Sequence, residues 1–304
     1  MANFGGASVG SKPMKTESWI TAMYLFLLAS YPSFSCAEFE SKVGHSQRLE
    51  IPFELYNDHL VVVKGSIGHL KDVRIMLDTG KSPSAISKEI AGQLGLKGKA
   101  ESLIFFNGEL TVESVVLPQL NLGAWRVASL RVLVQDLGFL RRSIKDSIGA
   151  IAGLDVLRTK NFLIDYRRKK IVFGPVKPLR NSVQFSQQNP FLIVNAQIDG
   201  QRLRLLADSG TYGVLVYRER LKTNPAGSSA RQDASVSTAA GSMPTERFHA
   251  SRVQVGDANL GPKDILIADV IPDPRYGFDG LLGFAQVGFQ KVWFDFQHGM
   301  LAWE

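Results

Sequence analysis

The chain has 304 residues, 45% of them hydrophobic and 10% aromatic, which is enough apolar material for a sizeable core and too much for a disordered chain. Its formal net charge is +7, but no Lys/Arg run with interleaved aromatics lines up as a nucleic-acid groove, so the basic surface reads as solvated and no nucleic-acid partner is expected. His45, His59, His69, His249 and His298 are scattered without ligand spacing, so neither a metal nor another cofactor is expected.

The first segment differs from the rest. Lys12 and Lys15 precede an apolar stretch over residues 19–31, which runs into Pro32 and then Ser35, Cys36 and Ala37. This is the layout of a signal peptide over residues 1–37, cleaved after Ala37, with Met14 offering a start that gives a leader of ordinary length. The apolar run falls short of the roughly 20 residues that a spanning helix needs, so no stable membrane span is expected after cleavage. Ser33, Phe34 and Ser35 lack the Leu that opens a lipobox, which argues against a lipid anchor at Cys36. Cys36 is the only cysteine, so the mature chain can form no internal disulfide and must be stabilised by packing. The expected location is outside the cytoplasm, periplasmic or secreted.

From residue 49 onward the chain reads as a duplication. Residues 60–63 and 76–77 are apolar runs separated by a turn, and they lead directly into Asp78-Thr79-Gly80. The same strand, turn, strand pattern, over residues 192–194 and 205–206, leads into Asp208-Ser209-Gly210. Ile151-Ala152-Gly153 is answered by Leu281-Leu282-Gly283, and residues 162–166 by residues 292–296, at the same offset of 130 residues. Strand signals dominate, as at residues 114–117, 130–134 and 265–267. Helix signals are few: Ser87 is placed to cap a short helix over residues 88–94, with Glu89 in its first turn, and a weaker helical turn is expected near Arg218. Residues 174–180, with Pro175 and Pro178, read as a linker between a first lobe over 49–173 and a second over 181–304. The fold class expected is all-β with a few short helices, in two homologous lobes related by a pseudo-two-fold axis.

A lone Asp-Thr-Gly is weak evidence, since it arises by chance in roughly one chain in ten of this length. Its recurrence in matching context is much stronger. Each copy sets the Asp after an apolar strand and before a Gly that permits a tight turn and close backbone approach, so two facing loops would bring two carboxylates together. Residues 51–55, 59–63 and 76–80, followed by Ile151-Ala152-Gly153 and repeated in the second half, resemble the retropepsin-like and pepsin-like aspartic proteases. The likeness is to the bacterial type with two tandem retropepsin-like repeats, and it extends over about residues 49–304.

That resemblance implies two acid-protease β-barrel lobes and an aspartic endopeptidase activity on peptide or protein substrates. It implies that Asp78 and Asp208 are the catalytic pair, with Thr79, Gly80, Ser209, Gly210 and Thr211 supporting the loops. It also implies substrate-covering hairpins, one at Phe106-Asn107-Gly108 with an Asn-Gly turn and one at Ala240-Gly241-Ser242. The shared register favours a monomer acting as a pseudo-dimer. Lys81 departs from the pattern, because the position after the glycine is usually small, as Thr211 is in the second copy. Long cationic side chains readily reach out to water, so Lys81 is expected to point to solvent. If it instead faced the pair, it would favour ionised carboxylates, and a non-catalytic peptide-binding protein with the same fold is the alternative reading. Asp165 and Asp295 recur in register beside turns and are expected to be structural. Ser82, Ser84 and Ser87 have no nearby His, so no serine nucleophile is expected.

Overall fold

A computed structural model of the chain describes residues 20–21, 48–105, 108–142, 144, 146–186, 191–222, 232–238, 241–269 and 277–304. The sequence runs that alternate or cluster Val, Ile and Leu form strands, and these assemble into three sheets.

In the first half six strands close on themselves in the order Leu60–Ile67, Leu70–Leu77, Ala150–Ala152, Ala85–Ser87, Trp125–Gln135 and Gly108–Leu122, the last returning to pair with the first. The second half repeats that circuit strand for strand: Ile193–Ile198, Gln201–Ala207, Gly280–Leu282, Val214–Tyr217, Ala258–Ala268 and Gly241–Val255, which closes onto Ile193–Ile198. Closure leaves few unpaired backbone edges, the general hazard of antiparallel sheets. Each barrel carries an edge strand in a hairpin with its last strand, Lys99–Phe105 in the first half and Gln232–Thr238 in the second, and Glu54–Tyr56 adds another against Leu60–Ile67 in the first. The two-residue strand Ile20–Thr21 lies parallel to Gln232–Thr238.

The third sheet belongs to both halves. Its order is Asn181–Gln184, Met300–Trp303, Lys291–Asp295, Phe162–Asp165, Lys170–Phe173 and Leu49–Pro52. At its centre Leu163 pairs with Trp293, Phe162 with Phe294 and Ile164 with Val292. Leu163 and Trp293 are themselves equivalents under the repeat, so the pseudo-two-fold axis runs through that pair. Phe162 stacks on Phe294 with ring centroids 4.6 Å apart, an arrangement that adds to simple burial. The turn beside each central strand is held by its carboxylate. Asp165 accepts from Arg168 N at 2.9 Å and Asp295 from His298 N at 3.1 Å, which is the structural role expected for both.

The core follows from strand periodicity. Val61, Val63, Ile75 and Leu77 face the main apolar cluster that continues through both halves. Leu60, Val62, Met76 and Ile151 face the other way, yet they too are buried, beneath Leu137, Leu140 and Ile144 from the 3-10 segment Gly138–Arg142 and its flanks. A sheet covered on both faces explains the uninterrupted apolar run at residues 60–63. The short helix Lys88–Gln93 begins where Ser87 Oγ accepts from Ile90 N at 3.2 Å, as its capping pattern predicts, and the weaker turn forms a 3-10 helix at Arg218–Arg220. Residues 174–180 contain no strand. Among the described residues, no helix is long and apolar enough to cross a membrane.

Candidate active site

Two loops meet where the barrels adjoin. The first leaves the strand Leu70–Leu77 and carries Asp78, Thr79 and Gly80; the second leaves Gln201–Ala207 and carries Asp208, Ser209 and Gly210. Each Asp is anchored at its backbone by the neighbouring strand, Asp78 N donating to Ala152 O at 3.0 Å and Asp208 N to Leu282 O at 2.9 Å. This is the physical use of the two matching apolar-apolar-Gly blocks: their strands are the parallel neighbours that fix the loops.

Four hydrogen bonds then tie one loop to the other. Thr79 N donates to Ser209 Oγ at 3.0 Å and Ser209 N to Thr79 Oγ1 at 3.0 Å. Thr79 Oγ1 donates to Ala207 O at 2.9 Å and Ser209 Oγ to Leu77 O at 3.2 Å. The pattern is reciprocal, and every atom in it is buried, where a lost partner costs most.

The grip sets the carboxylates face to face. A Cβ placed on Gly80 would lie 2.4 Å from Asp208 Cγ, and one placed on Gly210 would lie 3.0 Å from Asp78 Cγ. Only glycine lets each loop approach the opposite carboxyl so closely. Gly80 N donates to Asp78 Oδ1 at 2.8 Å and Gly210 N to Asp208 Oδ1 at 2.7 Å. Both Asp side chains are fully buried. Beyond these matched contacts the two sides diverge: Thr211 Oγ1 donates to Asp208 Oδ2 at 2.7 Å, whereas Asp78 Oδ2 is buried with no hydrogen-bond partner among the described residues.

Position 81 explains that difference and corrects the expectation made for it. Lys81 does not reach solvent; it is completely buried. Its Nζ donates to Gln135 Oε1 at 3.3 Å, and its charge bears on Asp78 and Asp155. Gln135 ends the strand Trp125–Gln135, and the helix Leu154–Leu157 is joined to the lysine's backbone where Leu154 N donates to Lys81 O at 2.7 Å.

Burial dominates the protonation of the group. It pushes Asp78 up to about 6, against the opposing pull of the Lys81 charge and of the neighbouring Asp208 carboxyl. Asp208 is driven well above the carboxylate range by burial first and by the Asp78 charge second. Burial brings Lys81 down to about 7. Two close buried carboxyls cannot both ionise cheaply, so they titrate as a unit that retains one proton over a wide range of pH.

The sequence-predicted residues Asp78, Thr79, Gly80, Asp208, Ser209, Gly210 and Thr211 are therefore all gathered at one point. Of the hairpin residues, Phe106, Asn107 and Ala240 lie outside the described residues. Gly108 pairs with Phe105, Gly241 with Thr238, and Ser242 with Ser237, each within its own edge hairpin. Three participants escaped the sequence reading: Gln135, Ser84 and Asp155. Ser84 N and Oγ donate to the Asp155 carboxylate at 2.9 and 2.6 Å, and Ser84 Oγ accepts from Gly153 N at 2.9 Å. The available signal was the repeat itself, since the equivalents of Lys81, Ser84 and Asp155 are the uncharged Thr211, Val214 and Ala285. Among the described residues, no cluster of three or more His, Cys, Asp or Glu is placed to hold a metal.

Two closed barrels, a shared central sheet and paired Asp loops define the class as a bilobal acid-protease fold. The sequence model of the aspartyl protease family matches residues 62–155 and again 194–285, together more than half of the chain, and the chain belongs to that family. Among solved structures, a retropepsin-like aspartic protease from Rickettsia conorii is similar, at 21% identity and a TM-score of 0.30, over 42% of this chain and 89% of that one. No curated protein matches the chain.

Proposed function

We propose that this chain is a single-chain aspartic endopeptidase in which Asp78 and Asp208, one from each half, hydrolyse a peptide bond through a water held between them. The observation that carries the reading is the reciprocal grip of Thr79 and Ser209, which holds two buried carboxyls face to face. One carboxylate, ionised, takes a proton from water as its oxygen bonds to the scissile carbonyl carbon. The other, protonated, gives its proton to the carbonyl oxygen. Collapse of the tetrahedral adduct breaks the C–N bond as the amine leaves with the proton gained from water, and one hydroxyl of the adduct returns its proton to the other carboxylate as the C=O bond re-forms, which restores the single shared proton of the dyad. No covalent enzyme intermediate takes part.

The substrate is a peptide or protein segment, admitted beneath the two edge hairpins. The protein works as a monomer outside the cytoplasm, a location supported by the leader-like residues 1–37. The test is cleavage of an unstructured protein substrate by the chain from Glu38 onward, from about pH 3 to about pH 8, beside Asp78→Asn and Asp208→Asn. The reading requires activity in the parent and its loss in both variants. A folded parent that binds peptide and cleaves nothing across that range is the outcome that would favour a peptide-binding protein instead.

A further inference from the structure

The two halves serve as each other's control. At the position after the glycine, the second half has a hydroxyl, Thr211, bonded to its own carboxyl, and the repeat equivalents of Ser84 and Asp155 are Val214 and Ala285. The first half has an ammonium, Lys81, fully buried, and around it stand Ser84 and Asp155. The replacements fit together: a buried cation is accompanied by a carboxylate, and that carboxylate is fixed by two bonds from Ser84 and one from Val156 N at 3.1 Å. Charge on one side of the dyad has thus been added and partly balanced, while the other side has stayed neutral.

The two neighbours act differently on a carboxyl. A hydroxyl donates or accepts, so Thr211 suits Asp208 in either protonation state. An ammonium has no acceptor, and its field favours only the ionised form. Resting on the protease reading above, the geometry points to Lys81 as a positioning residue that divides the labour of the dyad, making Asp78 the ionised carboxylate that acts as base and Asp208 the one that keeps the proton. The groups facing Lys81 are Asp78 on its own loop, Asp155 on the helix Leu154–Leu157, and Gln135 on the strand Trp125–Gln135. Asp208 faces it through Asp78, and Asp155 also bears on the Arg158 charge. Asp78 Oδ2, to which no other group among the described residues donates, is then the acceptor for the proton that Asp208 retains.

The sign of the effect is fixed. Removing a positive charge makes ionisation of Asp78 harder, so the acid limb of the pH–rate profile moves to higher pH. The experiment measures kcat/KM against pH for the parent, Lys81→Met, Lys81→Gln and Lys81→Arg. In parallel, the Asp carboxyl carbons of the parent and both neutral variants are titrated by NMR, with Asp78→Asn used to assign the Asp78 signal. The expected result is an upward shift of the acid limb by about one pH unit or more in Lys81→Met and Lys81→Gln, a tenfold relative loss on that limb. Lys81→Arg keeps the limb in place. The Asp78 carbon titrates higher in both neutral variants by the same amount. Two neutral variants of different polarity guard against the failure of either to fold. Unchanged profiles and an unmoved Asp78 titration would overturn the role of Lys81 while leaving the protease reading intact. A parent without activity whose Asp78 titration still moves on loss of Lys81 would overturn the protease reading and leave the electrostatic inference standing.

Discussion

Thr79→Val is the sharpest probe of how the two halves are joined. The substitution keeps the shape of the side chain and removes a hydroxyl that donates to Ala207 O and accepts from Ser209 N. Both of those groups belong to the other half and are buried, so neither finds water without the loops parting. A buried polar group stripped of its partner costs about 1–3 kcal/mol, and two such groups with partial relaxation give an expected loss of roughly 2–4 kcal/mol. Urea unfolding at constant pH measures it through the midpoint and slope. Ser209→Ala removes the mirror pair, Thr79 N and Leu77 O, and is expected to cost a similar amount. Since one loosened loop admits water to the other, the double variant should lose less than the sum, with a coupling of about 0.5–3 kcal/mol. Losses below about 0.5 kcal/mol in each single variant, or strict additivity, would refute the idea that this grip is one cooperative buried unit.

Other consequences follow from the same geometry. Gly80→Ala should abolish cleavage while Gly210→Ala leaves a measurable residue, because the added methyl meets Asp208 Cγ at 2.4 Å in the first case and Asp78 Cγ at 3.0 Å in the second; kcat for the two variants decides it. Asp208→Asn should raise the melting temperature, and the gap to the parent should widen as pH rises above about 4, because a carboxyl whose folded pKa is raised gives up stability as pH climbs from its unfolded value toward its folded one; thermal melts across that range test this. Asn161→Ala removes the amide that donates to Asp295 Oδ1 and accepts from Phe296 N, both at 2.9 Å. It should cost about 1–3 kcal/mol by denaturant titration with the dyad chemistry intact.

The duplication was legible because its spacing survives in three separated blocks, and the two closed barrels are the direct expression of it. The pairing of the loops was legible for the same reason: Asp78 and Asp208 occupy equivalent points of equivalent circuits. The shared sheet was only half legible. Residues 162–166 and 292–296 match in sequence, but a match of two strands does not say that they pair with each other across the axis. Lys81 was misread because the tendency of a lysine to reach water holds only where water is near. The groups it meets instead are Gln135, 54 residues away, and Asp155, which is bound to Ser84 across 71 residues. Contacts of that separation leave no trace in local periodicity.

The central claim is that one chain supplies both carboxylates of its own site. Asp78→Asn and Asp208→Asn proteins, each folded, are mixed in equal amounts, equilibrated, and assayed with an unstructured substrate beside the parent and each variant alone. The account predicts that the mixture is as inactive as its components, because each molecule holds one intact Asp and has no use for its neighbour's. Recovery of activity on mixing would contradict it, for the carboxylates would then be meeting across two chains.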